Sequence, residues 1–169
     1  LVPAGTVFTS ILFPLILLVE DNEINQQVAS ELLSDVGLQV VVAENGQIAI
    51  DQVHEAHKKG RPFDLVLMDM QMPVMDGVTA TRHLRKQYNP HELPILAMTA
   101  NAMKRDRDLC MEAGMNGFLT KPINPDELWK GLLTWVRLHH HVEPEKPLPE
   151  ATQIENRVPE AVPDVIAAL

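Results

Sequence analysis

The sequence holds one cysteine in 169 residues, so no intrachain disulfide can form, and Cys110 reads as a small apolar helix residue. That usage suits a reducing compartment. No Cys/His cluster has zinc-binding spacing. Positive charge is also scarce: 14 Lys and Arg stand against 23 Asp and Glu, a net charge of −9. This argues against nucleic acid as a partner of this segment, since such a surface needs clustered Lys and Arg. Long apolar runs are missing as well. The strongest, Ser10–Val19, is too short to span a bilayer and is interrupted by Pro14, and no basic region precedes it. Neither a signal peptide nor a membrane contact is therefore expected here. There are no long internal repeats. Because the chain opens on Leu1 and not Met, we expect a piece of a longer protein, whose parent can still carry a membrane span elsewhere.

What is present is enough for one domain with some extra length. Apolar residues make up 46% of the chain, ample for a core, and global disorder is not expected. Short apolar, β-branched runs recur at Leu15–Val19, Gln39–Ala43, Phe63–Met68, Ile95–Met98 and Gly117–Leu119. Helical segments fall between them. Val28, Leu32, Leu33 and Val36 share one face at helical spacing, and Gly37 stops that helix. Asn45 caps a second helix running towards Gly60, and Asp76 caps a third reaching about Lys86. A fourth covers Lys104–Ala113, followed by Gly114. The fifth has Asn124 as N-cap, Pro125 at its first position and Asp126-Glu127 in its first turn, with Leu128, Leu132, Trp135 and Val136 as its apolar face. Residues 1–14 read as a leader or upstream linker, 15–138 as the folded domain, and 139–169 as a linker rich in Pro and acids.

Strands alternating with helices predict an α/β fold, a doubly wound five-stranded parallel sheet with helices on both faces. Strands that are apolar throughout fit burial on both sides. In such a sheet the residues at the strands' C-terminal ends line one crevice. Glu20-Asp21 follow the first strand and Asp69 the third. Thr99 ends the fourth, and Thr120-Lys121 follow the fifth. Carboxylates gathered this closely repel one another unless a cation sits among them, and oxygen donors favour Mg²⁺, with Mn²⁺ as a substitute. Asp69 can attack phosphorus as a carboxylate nucleophile. Lys121 offers an ammonium and Thr99 a hydroxyl to the transferred group. A small residue, Ala100, leaves the approach open. The Lys121-Pro122 bond is expected to be cis, which would aim the lysine into the crevice. Met68, Met70, Met72, Met75 and Met98 read as packing, Asp76-Gly77 as a turn and cap, and His139-His140-His141 as a solvated helix end.

Four separated motifs, Val19-Glu20-Asp21-Asn22, Met68-Asp69-Met70-Gln71-Met72-Pro73, Met98-Thr99-Ala100 and Phe118-Leu119-Thr120-Lys121-Pro122, occur in order on this framework. From Leu15 to Leu138 the chain resembles response-regulator receiver domains, and most resembles the receiver modules of hybrid sensor histidine kinases. The resemblance implies a flavodoxin-like sheet of order 2-1-3-4-5. It implies that Asp69 is the phosphoacceptor, that Asp21 ligates Mg²⁺ directly with Glu20 contributing through water, and that the backbone carbonyl of Gln71 completes the protein's metal ligands. Thr99 and Lys121 would bind phosphoryl oxygens. Phe118, where many members carry Tyr, would be the aromatic switch moving with Thr99. The implied partner is a phosphohistidine-bearing kinase or histidine-phosphotransfer domain, with a homodimer through the fourth helix, fifth strand and fifth helix as a further expectation. The domain would be cytoplasmic, its parent anchored in the inner membrane.

Other classes fit less well. A phosphatase of the dehalogenase type places a second Asp two residues after its nucleophile, and Gln71 stands there. A flavin carrier of similar architecture wants a hydroxyl- and amide-rich loop after the first strand, where Glu20-Asp21 would repel phosphate. For the parent, a hybrid histidine kinase is expected, in which the 139–169 linker can lead towards a histidine-phosphotransfer domain, with a stand-alone regulator as the alternative. The tail is acidic and too short for a complete DNA-binding domain.

Overall fold

The computed structural model describes residues 13–139. The expected leader and linker lie almost wholly outside the described residues, as do the side chains of the histidine triplet. Ten elements alternate along the chain: β1 (Leu15–Val19), α1 (Glu23–Ser34), β2 (Gln39–Ala43), α2 (Gly46–Lys58), β3 (Leu65–Asp69), α3 (Gly77–Arg85), β4 (Ile95–Thr99), α4 (Lys104–Ala113), β5 (Gly117–Thr120) and α5 (Pro125–His139). The strands form one parallel sheet in the order β2-β1-β3-β4-β5, as the sequence led us to expect.

Side chains alternate across each strand with a period of two, and the core divides accordingly. Leu17, Val19, Val66, Met68, Ile95 and Ala97 face α2, α3 and α4. Ile16, Leu18, Leu65, Leu67, Leu96 and Met98 face α1 and α5. Each fully buried aliphatic side chain contributes about 1.5–3 kcal/mol, so the central strands are the least deformable part of the molecule.

The helix ends follow from local chemistry. Asn22 accepts from the amides of Ile24 and Asn25, Asn45 from Ile48, Asp76 from Thr79 and Asn124 from Asp126. Gly114 closes α4 in the left-handed region at φ 96°, where a Cβ is disfavoured. By contrast, α4 begins at Met103 with no side-chain cap.

Three expectations need correction. Val28 is 51% exposed; the buried stripe of α1 is Ala29 and Leu33, flanked by Leu32 and Val36. Trp129 belongs to the buried face of α5, beyond the four residues that helical spacing picks out. The third strand starts later and ends later than expected. Phe63 is buried but outside the ladder. Asp69 is itself the last strand residue, because it pairs with Met98 and the Met70 amide donates to the Met98 carbonyl at 3.0 Å. The pairing of Thr99 with Thr120 likewise carries β4 and β5 one residue further than Met98 and Leu119.

One backbone outlier lies in the loop after β3. Val74 has φ 67° and is 84% exposed. For a β-branched residue this conformation costs about 1–2 kcal/mol, and no burial offsets it. Val74→Gly is therefore expected to raise stability by about 0.5–1 kcal/mol, the strain relieved less the entropy glycine adds to the unfolded chain. Urea unfolding of the two proteins measures this directly.

Candidate functional site

The C-terminal ends of β1, β3, β4 and β5 open onto a crevice of about 1020 Å³, bordered by Glu20, Asp21, Asp69, Gln71, Thr99 and Lys121. These are the residues the sequence analysis singled out, Phe118 excepted. Phe118 borders a neighbouring cavity of about 530 Å³ shared with Arg107, Lys130 and Trp135. The parallel sheet explains the gathering: each strand delivers its following residue to the same edge.

Glu20, Asp69 and Thr99 are buried, while Asp21 is exposed. One ligand oxygen from each of Glu20, Asp21 and Asp69 lies within 4.8 Å of the others. The Lys121 ammonium reaches between two of them, 2.6 Å from Glu20 Oε2 and 3.0 Å from Asp69 Oδ2. The Lys121-Pro122 peptide is cis, as expected. The Lys121 amide donates to the Thr99 carbonyl at 2.8 Å, so backbone pairing places the lysine at the sheet edge.

Three further donors hold Glu20 and Asp69 in place. Glu20 Oε1 accepts from the Asn22 amide at 3.2 Å, and the Glu20 carbonyl accepts from the Gln26 side chain at 2.7 Å. Asp69 Oδ1 accepts from the Gln71 amide at 3.2 Å. Burial pushes the Asp69 carboxyl above the usual aspartate range, and the Glu20 charge adds to that, against the pull of Lys121 and the Gln71 amide. Burial also acts upward on Glu20, but the hydrogen bond from Lys121, the Asn22 amide and the Lys121 charge together bring it below its ordinary value. Lys121 itself is held above the ordinary lysine range: burial lowers it, and its bonds to the two carboxylates outweigh that.

This donor set suits a hard divalent cation. All three side chains offer carboxylate oxygen, and among the described residues they are the group of acids, His and Cys close enough together to hold an ion. One ammonium alone leaves an excess of negative charge among them.

The Thr99 hydroxyl is engaged by the loop that follows β4. It donates to the Asn101 carbonyl at 2.9 Å and accepts from the Asn101 amide at 3.1 Å. No local pattern signals that reciprocal pair, or the role of Gly77. A Cβ on Gly77 would lie 2.1 Å from the Asp69 carbonyl oxygen and 2.9 Å from Met68 Cγ. Asp76-Gly77 is the turn and cap expected, but the glycine is also where α3 passes against the backbone of Asp69. The Asp-Gly pair signals a turn; its distance from Asp69 exists only in the fold. Of the methionines, Met68 and Met98 are buried, and Met70, Met72 and Met75 pack against the core. Cys110 is buried, its Sγ 3.3 Å from Met70 Sδ.

Comparison with known proteins agrees with this geometry. Residues 16–132 match the family described as the response regulator receiver domain. The hybrid signal transduction histidine kinase M of Dictyostelium discoideum is 43% identical over 112 residues, covering 64% of this chain and 5% of that protein. Among solved structures, the receiver domain of the sensor histidine kinase PA1611 of Pseudomonas aeruginosa PAO1 is 40% identical, with a TM-score of 0.66, covering 75% of this chain and 99% of that one. It has a magnesium ion coordinated in its active-site cleft. The receiver domain of Ssk1 from Saccharomyces cerevisiae, crystallised with the histidine phosphotransfer protein Ypd1, gives 29% identity and a TM-score of 0.66 over 78% of this chain and 96% of that one. The chain spans only 5 to 14% of the length of the first curated relatives it matches. With four strand ends converging on an acid–lysine crevice and a family match across the whole sheet, the chain belongs to the response regulator receiver domains of two-component signal transduction.

Proposed function

We propose that Asp69 accepts a phosphoryl group from a phosphohistidine in a partner protein, with Mg²⁺ bound by Asp21, Asp69, the Gln71 carbonyl and, through water, Glu20. The observation that carries this reading is the Lys121 ammonium between two buried carboxylates, beside an exposed third. In the step, an Asp69 oxygen forms a bond to phosphorus as the phosphorus–nitrogen bond of the donor breaks, and the imidazole nitrogen keeps the electron pair. Bound Mg²⁺ supplies charge neutralisation and a fixed point for the phosphoryl oxygens, and Mn²⁺, with the same preference for oxygen, is expected to substitute. Lys121 leaves Glu20 for the incoming oxygens while staying beside Asp69. Thr99 exchanges its Asn101 partner for the phosphoryl group, and the aromatic side chain of Phe118 follows it.

A protein donor has to cover the mouth of the crevice for its imidazole to reach Asp69. Exposed apolar side chains stand on the flanking elements there: Ile24 on α1, Val74 after β3 and Met103 before α4. They favour a macromolecular partner over a small substrate. A hybrid sensor histidine kinase, anchored in the inner membrane with this domain on the cytoplasmic side, is the parent we favour, with residues 139–169 as the linker beyond the domain.

Incubation with Mg²⁺ and a small phosphodonor is expected to add one acid-stable, base-labile phosphoryl group, seen by mass spectrometry, and chelation of Mg²⁺ is expected to prevent it. Asp69→Asn removes the nucleophile and should abolish uptake. Equal uptake by that variant would overturn the assignment.

A further inference from the structure

We infer that Arg107 is a latch on the aromatic switch: its guanidinium, held over the Phe118 ring, keeps the start of α4 against β5 in the unphosphorylated domain. This rests on the phosphoacceptor reading above and adds to it a residue of α4 that acts through Phe118.

The contact is direct. The guanidinium carbon of Arg107 lies 4.7 Å from the centroid of the Phe118 ring, within cation–π range. What makes it consequential is how little else holds that end of the helix. The N-cap, Met103, makes no side-chain cap bond, so amides of the first turn lack the partner that Asn22, Asn45 and Asp76 give to α1, α2 and α3. Lys104, Arg105 and Arg107 put positive charge at the positive end of the helix dipole, with Asp106 and Asp108 against them. The buried residues of α4, Cys110 and Ala113, sit in its second half. The first turn is thus a weakly anchored lever.

The other end of the lever is Thr99. Its hydroxyl bonds both backbone groups of Asn101, three residues before the helix begins at Lys104. When Thr99 turns to a phosphoryl group on Asp69, these bonds break and the connection into α4 is released. Arg107 is the residue through which a shift of that turn reaches Phe118. The cavity of about 530 Å³ beside the ring leaves space for the ring or the guanidinium to move. Thr99 and Phe118 are thus joined through the helix start, and the latch biases a two-state element in favour of rest.

An exposed cation–π contact of this kind corresponds to about a two- to fivefold bias in a conformational equilibrium. Beryllium fluoride with Mg²⁺, a stable mimic of the phosphoryl group, reads that bias as binding affinity. Arg107→Met keeps the aliphatic stem and removes the cation, and is expected to bind the mimic about two- to fivefold more tightly than the unaltered domain. Arg107→Lys retains a cation and should stay closer to the original affinity. In a Phe118→Leu background, Arg107→Met should change nothing, because the ring face is gone. If Arg107 served instead to attract the anion, Arg107→Met would bind more weakly. Weaker or unchanged binding, or the same tightening in the Phe118→Leu background, overturns the latch. Failure of the unaltered domain to bind the mimic at all overturns the phosphoacceptor reading, and the latch with it.

Discussion

Gly77→Ala is expected to destabilise the domain by about 3 kcal/mol and to cut phosphoryl uptake at the same time. The added methyl would sit 2.1 Å from the Asp69 carbonyl oxygen and 3.0 Å from its carbonyl carbon, where atoms cannot overlap. Neither neighbour can give way cheaply. Met68 pairs with Val19 of β1, and Asp69 with Met98 of β4, so the strand is held on both sides. The alternative is to lift α3, which would pull Ala80 and Leu84 out of the core they fill. Either response disturbs Asp69, the proposed phosphoacceptor, because the helix start and the Asp69 backbone are in contact. Gly60 provides the comparison: a Cβ there meets nothing within 4 Å, and only its φ of +72° opposes alanine, so Gly60→Ala should cost about 1 kcal/mol and leave uptake alone. Equilibrium unfolding and phosphorylation kinetics of both variants test the contrast. A Gly77→Ala domain with unchanged stability and uptake would show that the close approach is not needed.

Arg85→Leu is expected to cost about 2–3 kcal/mol, on the scale of removing a charged donor from several partly buried carbonyl acceptors. The guanidinium donates to the carbonyls of Gly114 at 2.7 Å and Leu93 at 2.9 Å, and to Asn116 Oδ1 at 3.0 Å. Longer bonds reach the carbonyls of Tyr88 and Asn89. One side chain of α3 therefore closes the chain entry to β4 and the turn from α4 to β5. Burial brings its pKa down to about 10, which still leaves it charged at neutral pH. Leucine would leave the carbonyls without this donor, while Asn116 Oδ1 keeps only the Ile95 amide, and lysine cannot reproduce the planar fork. Arg82, exposed on the same helix, should change stability by less than about 0.5 kcal/mol when replaced by alanine. Urea denaturation of both variants gives the comparison, and near-equal midpoints would rule out the staple.

Both predictions turn on contacts that no local pattern announces. Arg85 reads in the sequence as one of several basic residues late in a helix. Its acceptors come from segments up to 31 residues away. Gly77 reads as the second half of an Asp-Gly turn. The strands were legible because a buried parallel strand is apolar throughout, and the helices because polar caps and left-handed glycines mark their ends. Strand ends were less legible. Asp69 and Thr99 are polar, so the apolar runs stop before them, while the ladder continues through their backbones. Val28 shows the reverse error: an apolar residue at helical spacing that the fold leaves in solvent.

The sequence by itself determined the parallel α/β architecture and which acids, hydroxyl and lysine reach the sheet edge, because the apolar pattern of a strand is a local property of the chain and places its end to within a residue. Only the tertiary structure decided how those groups share charge and space. It set the lysine nearer Glu20 than Asp69, turned Thr99 to Asn101, laid Arg107 over Phe118 and brought Gly77 against Asp69. Apart from the local Thr99–Asn101 turn, these are contacts between different segments of the fold. Such contacts follow from packing whole elements on a common sheet, and no periodicity encodes them.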